Sequence, residues 1–201
     1  MPKIGMKPLR QQQLIDATLA SVAEYGLQNT TIMTISRIAG LSSGIISHYF
    51  GGKQGLVEAT IKFLLEQLKA ALLTKVGLGK LTAEQRLMMI VEANFTDLQR
   101  SIPATKTWLS FWAQSMHEPN LARLQNINSK RLMSNLLYSY RQKLNPQQAQ
   151  QAAMQTAAMI DGFWLRSALS AQPEQHFQYA EQLCKSFIRT QLTQNGDSPC
   201  H

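Results

Sequence analysis

Between Thr31 and Phe50 the chain reads TIMTISRIAGLSSGIISHYF, two short helices joined by a tight turn. Ile32, Ile35, Ile38 and Ala39 fall at helical spacing and give the first helix one apolar face. Thr31 stands just before that run, where a hydroxyl can accept a bond from a free backbone N–H of the first turn. Gly40 follows the last periodic residue, the usual place for a left-handed stop. By the same N-cap logic Ser42 opens a second helix over 43–50, with Ile46 and Phe50 turned inward beside Leu41. Ser43, Gly44, Ile45, Ser47, His48 and Tyr49 are left nearer the outside.

That outward set suits a major groove. Ser and His can bond base edges or phosphates, and Tyr can reach a phosphate. Gly44 lets the backbone come close, and an outward Ile45 can meet a thymine methyl. The competing reading is two helices of an all-α core that meet at a glycine, and geometry alone leaves both open.

Elsewhere strand alternation is nearly absent, while helical periods and Pro or Gly breaks recur. Leu14, Ile15, Thr18, Leu19, Val22 and Tyr25 predict a first helix ending at Gly26, which completes a three-helix head. A long apolar-rich helix is expected over 54–76, stopped by Gly77-Leu78-Gly79. Thr82, Pro103, Pro119, Pro146 and Pro173 then open five more, since proline is at home in a first helical turn. The expectation is an all-α chain of nine helices. It divides into a DNA-binding head over 1–53 and a ligand-binding and dimerisation body over 54–201, with 54–76 as the connector.

The formal net charge is +8 over 201 residues. Within the first 55, five basic residues (Lys3, Lys7, Arg10, Arg37, Lys53) stand against Asp16 and Glu24, a net +3. Basic character favours nucleic acid only weakly, but Lys3, Lys7 and Arg10 lie just ahead of the reading motif. The candidate DNA-contacting set is Thr31, Ser42, Ser43, Gly44, Ile45, Ser47, His48, Tyr49 and Lys53, with Lys3, Lys7 and Arg10. Two cysteines, Cys184 and Cys200, are too few for a disulfide framework, and no His/Cys cluster has metal-ligand spacing. No apolar leader or long uncharged apolar run is present, so a cytoplasmic chain without membrane contact, metal or cofactor is expected. Ser42-Ser43-Gly44 is no nucleophile elbow, and His48, His117, His176 and His201 stand apart in sequence, which argues against an enzyme. A membrane-binding or helical interaction protein is the remaining rival; it would show no preference for a DNA sequence.

In the body, Trp108 and Trp112 share a helix face at i, i+4, with Phe111 beside them. Asp161 interrupts an otherwise apolar stripe (Met154, Ala157, Ala158, Leu165, Ala168) three residues before Trp164. A carboxylate there needs a partner: a basic side chain such as Arg123, Lys130, Arg131 or Arg166, a hydrogen-bonding group, or a ligand. Indole faces and one carboxylate are the chemistry that recognises a quaternary ammonium. The ligand candidates from this chemistry are Trp108, Phe111, Trp112, Asp161 and Trp164, with Phe95, Asn94 and Tyr138 behind them; a packed core is the competing reading for each. The helix after Pro146 is apolar on more than one face, and with its successor (Phe177, Ala180, Leu183, Cys184, Phe187, Ile188) it predicts a self-complementary four-helix dimer interface.

Ala39-Gly40-Leu41-Ser42, His48-Tyr49-Phe50, Lys53 and Leu56 resemble the DNA-binding signature of TetR-type repressors, departing from it at Gly51-Gly52. The resemblance implies a nine-helix fold whose third helix enters the major groove, with Tyr49 and Lys53 on phosphate. Trp108 to Trp112, Ser115-Met116-His117, Pro119, Ser129 to Leu132, Ser134 to Leu136 and Ile160 to Arg166 are similar to the choline-responsive BetI-type branch. So are Pro2-Lys3, Gly5-Met6 and the stretch from Gln13 to Thr18. That branch implies repression of choline uptake and oxidation genes for glycine betaine synthesis under osmotic stress. The repressor would sit as a homodimer on a pseudo-palindromic operator and leave it when choline binds. A TetR-type repressor answering a different small cationic or apolar ligand is the alternative.

Overall fold

The computed structural model describes residues 5–76 and 81–196, with side-chain placement for 5–73 and 81–194. Lys3, the Gly77-Leu78-Gly79 break and Cys200 lie outside the described residues. Within them the chain is all α, with nine helices and one four-residue helical turn. The helices are α1 (Met6–Asn29), α2 (Ile32–Ala39), α3 (Ser43–Phe50), α4 (Lys53–Val76), α5 (Ala83–Asn94), α6 (Ile102–Ser115), α7 (Pro119–Tyr140), α8 (Pro146–Ala168) and α9 (Pro173–Gly196). The extra turn, Asp97–Arg100, lies between α5 and α6. Gly26, expected to end the first helix, kinks α1 with φ 75° and ψ 160° and the helix runs on to Asn29, while Pro103 and Pro146 sit in the first turns of α6 and α8 as expected.

The chain forms two compact units, residues 1–66 with 101–125, and 67–100 with 126–201. These boundaries run through α4 and α7.

In the first unit, α1 packs against both α2 and α6. The head's core is Leu14, Ala17, Ile35, Ile46 and Leu56, one or two residues from each of four helices. Burial of each Leu and Ile of this set stabilises by about 1.5–3 kcal/mol. Behind them the Ser21 hydroxyl meets Thr30 Oγ1 at 3.2 Å and Thr34 Oγ1 at 2.9 Å, so the start of α2 is hydrogen-bonded to the middle of α1. Lys106 of α6 donates its ammonium to the Ala23 carbonyl of α1 at 2.5 Å.

In the second unit, α9 packs along α8 and against α5. Trp164, Phe95 and Phe177 are buried, with Phe177 5.7 Å from Trp164 and 6.3 Å from Phe95 between ring centres. Tyr140 and Thr156 exchange a buried hydroxyl contact at 2.8 Å. Lys185 on α9 bridges Glu92 of α5 at 2.8 Å and Glu181 at 2.7 Å. Capping boxes open α5 (Thr82 with Gln85) and α8 (Asn145 with Gln148), where the sequence breaks place them.

Candidate functional site

The helix-turn-helix is built from local chemistry. Thr31 Oγ1 accepts a bond from the Thr34 N–H and Thr34 Oγ1 accepts one from the Thr31 N–H, closing a capping box at the start of α2. Gly40 ends α2 at φ 63°, a left-handed conformation that a side chain would resist. Ser42 holds the N-cap position of α3, but its side chain makes no capping bond, contrary to the sequence expectation. Its hydroxyl is therefore not committed to its own helix. Gly51 and Gly52, where the chain departs from the TetR pattern, both take positive φ (72° and 127°) and turn the backbone from α3 into α4. Gly55 is required by packing: a Cβ there would stand 1.9 Å from the Phe50 carbonyl oxygen.

The exposed face of α3 carries Ser43, Gly44, Ser47 and His48. A Cβ on Gly44 would meet nothing within 4 Å, so packing within the chain does not demand a glycine there. Ile45 and Tyr49, expected on the outside, are half-buried against the head's core. The reason is the width of the apolar side of α3: with Ile46 and Phe50 they form a stripe broader than an i, i+4 pair. The Tyr49 ring also leans on His48, 5.0 Å between centres. Lys7 is exposed and Arg10 half-buried on α1. Lys53 donates to the Leu27 carbonyl at 3.2 Å. Arg37, counted from sequence only as charge, is held by the Tyr25 hydroxyl at 2.9 Å, its guanidinium 5.9 Å from that ring's centre. No spacing rule links residues 12 apart on two helices, so only the fold reveals this exposed, oriented cation.

The ligand candidates fall into the two units. In the first, Trp108 lies 5.6 Å from Phe111 and 6.4 Å from Trp112 between ring centres; Trp108 and Phe111 are buried and Trp112 is half-buried. In the second, Trp164 and Phe95 are core residues, and the Asn94 amide donates to Ile90 O at 2.8 Å. Tyr138 is exposed and its ring is already covered by the Arg86 guanidinium at 4.7 Å. Asp161 is not buried in its stripe: the stripe itself is the open face of α8, with Met154 at 56% and Leu165 at 37% exposure. The buried face is the neighbouring one, through Ala153, Ile160 and Trp164. No ion pair forms between Asp161 and the basic residues of its own unit, Lys130, Arg131 or Arg166. Desolvation alone pushes the Asp161 carboxyl up to about 6, so atoms crowd this exposed residue without enclosing it.

Residues 14–60 match the family model of tetR-type bacterial regulatory proteins, and residues 83–193 match the C-terminal region of BetI-type transcriptional repressors. A BetI regulator of Klebsiella pneumoniae is 50% identical over 193 residues, covering 96% of this chain and 98% of the relative. The chain belongs to the TetR family, in its BetI-type branch. It is a transcriptional repressor of that type and not an enzyme. An Escherichia coli BetI regulator is 49% identical over 96% of this chain and 98% of its own. Among solved structures, a transcriptional regulator of Saccharomonospora viridis in complex with choline has TM-score 0.76 at 20% identity, covering 90% of this chain and 96% of that one. A Pseudomonas aeruginosa regulator has TM-score 0.69 at 25% identity, with 96% of each chain covered. No helix among the described residues is long and apolar enough to cross a membrane.

Proposed function

We propose that this BetI-type repressor shuts off choline uptake and oxidation genes and leaves its operator when choline binds. The observation that carries this reading is the BetI-type match over 83–193, the part of the chain outside the reading head. The choline held by the Saccharomonospora viridis neighbour supports it.

The head, 1–53, reads the operator. Helix α3 enters the major groove with Ser43, Ser47 and His48 toward base edges, while Thr31, Ser42, Tyr49, Lys53, Lys7 and Arg10 bear on the backbone. The Tyr25-held Arg37 joins them at a phosphate. Ile45 contributes by seating α3 on its core. In the body, 54–201, the open apolar face of α8 (Met154, Leu165, Leu169) and the exposed Tyr179 of α9 pair with a second copy. The dimer sets two reading helices roughly 34–36 Å apart on a pseudo-palindromic site. Trp108, Phe111 and Trp112 supply ring faces for a quaternary ammonium.

Release requires that choline favour the operator-incompetent state; operator then weakens choline binding by the same factor. The continuous helix α4 is the element that ligand shifts. A mobility-shift titration on DNA upstream of the protein's own gene tests this, with and without choline. Operator affinity should fall at least tenfold further with choline chloride than with sodium chloride of equal ionic strength. A Trp108→Ala protein should bind operator normally and ignore choline. Unchanged affinity in choline would end the inducer assignment.

A further inference from the structure

We infer that the first unit carries a second small-molecule site, built for a zwitterion with an N–H-bearing ammonium at one end and a carboxylate at the other. The site is a cavity of about 320 Å³, in the size range of ligand pockets, between the end of α1, the first turns of α4 and the α6–α7 turn. Two opposite charges on its wall lack a charged partner among the described residues. Glu118, half-buried, accepts only from the neutral Gln54 amide at 3.1 Å. Lys53, also half-buried, donates only to the neutral Leu27 carbonyl at 3.2 Å. The other acid on the wall, Glu58, is neutralised by Lys62 at 2.6 Å. A half-buried charge held by neutral dipoles alone gains by meeting an opposite one, and here a single ligand can satisfy both.

The rest of the lining says what kind of ammonium. No aromatic ring faces the cavity, so nothing offers a quaternary ammonium the quadrupole it needs. Side-chain amides of Gln28, Gln114 and Asn120 offer hydrogen-bond acceptors and donors, while Val57 and Leu121 give an apolar wall for a short carbon chain. An ammonium with N–H bonds to give is the better match. This site therefore differs in chemistry from the aromatic cluster assigned to choline, and it does not depend on that assignment.

The test is calorimetric titration of the full-length protein with ω-amino acids, 3-aminopropanoate to 6-aminohexanoate. Propylamine, butanoate and choline serve as one-ended and quaternary controls. At least one chain length should bind saturably and at least tenfold more tightly than either one-ended control. Glu118→Gln should weaken that binding tenfold or more while leaving operator binding and its response to choline intact, which also shows the variant is folded. Lys53→Met should weaken it similarly without altering the choline enthalpy; because Lys53 also bears on the operator backbone, this variant loses operator affinity as well and only Glu118→Gln carries the operator control. Absence of saturable binding, equal binding of the one-ended controls, or full binding by Glu118→Gln would each overturn the inference. Failure of choline release with zwitterion binding intact would strike only the choline reading.

Discussion

Asp161 shows how one side chain carries a measurable signature. Its carboxyl ordinarily titrates at 3.8 and in the folded chain at about 6. The folded state thus keeps a proton that the unfolded chain has lost, and stability from this group is full below the lower value. It drains away as pH rises toward the upper one. Asp161→Asn should flatten the stability profile between about pH 4 and pH 6, read from urea midpoints at each pH; an unchanged slope would contradict the assignment. Tyr140 offers the complementary case. Burial pushes its phenol up to about 12, and its hydroxyl meets Thr156. Tyr140→Phe should cost about 1 kcal/mol of unfolding free energy, the net worth of one such hydrogen bond.

Among the elements, α2 and α3 are short, so their ends decide whether they form. Eight residues cannot hold a helix alone in water, and the Thr31–Thr34 box and the Gly40 stop do part of that task. Thr31→Ala should lower stability by about 1 kcal/mol, seen in thermal melts, with the head loosening first in amide exchange. The corner from α3 to α4 is less forgiving. Gly55→Ala would drive a methyl into the Phe50 carbonyl, so α4 must shift. A loss of about 1–3 kcal/mol and of operator binding is expected, because α4 holds α3 in place. Gly44→Ala, helical and with open space around it, should keep the fold and raise its stability by about 0.4–1 kcal/mol; any loss of operator affinity then reports approach to DNA.

For the whole molecule, the proposed function rests on two heads displayed at a fixed spacing. A charge placed on the open face of α8 tests this: Leu165→Asp should yield a folded monomer in sedimentation experiments. Its affinity for the full operator should fall to that for a half-site. The salt dependence of operator binding should be steep, and Arg37→Ala should reduce its slope by about one unit if that cation meets a phosphate. Specific and scrambled duplexes must be compared at one salt concentration for the result to mean anything.

Local chemistry was enough to specify the nine helices of the described residues and the reading motif, because caps, prolines, left-handed glycines and the helical period all act within a few residues. The TetR and BetI resemblance was legible for the same reason: its signatures are short runs. Which face of α8 is covered was not legible, since the Ile160 and Met154 faces are equally apolar in sequence and only the packing of α9 chose between them. That choice left Asp161 on the open side. The pairing of Tyr25 with Arg37, of Gln54 with Glu118 and of Lys106 with Ala23 likewise joins residues 12, 64 and 83 positions apart. Contacts of that reach depend on how helices cross, a property of the folded chain that no short stretch of residues encodes.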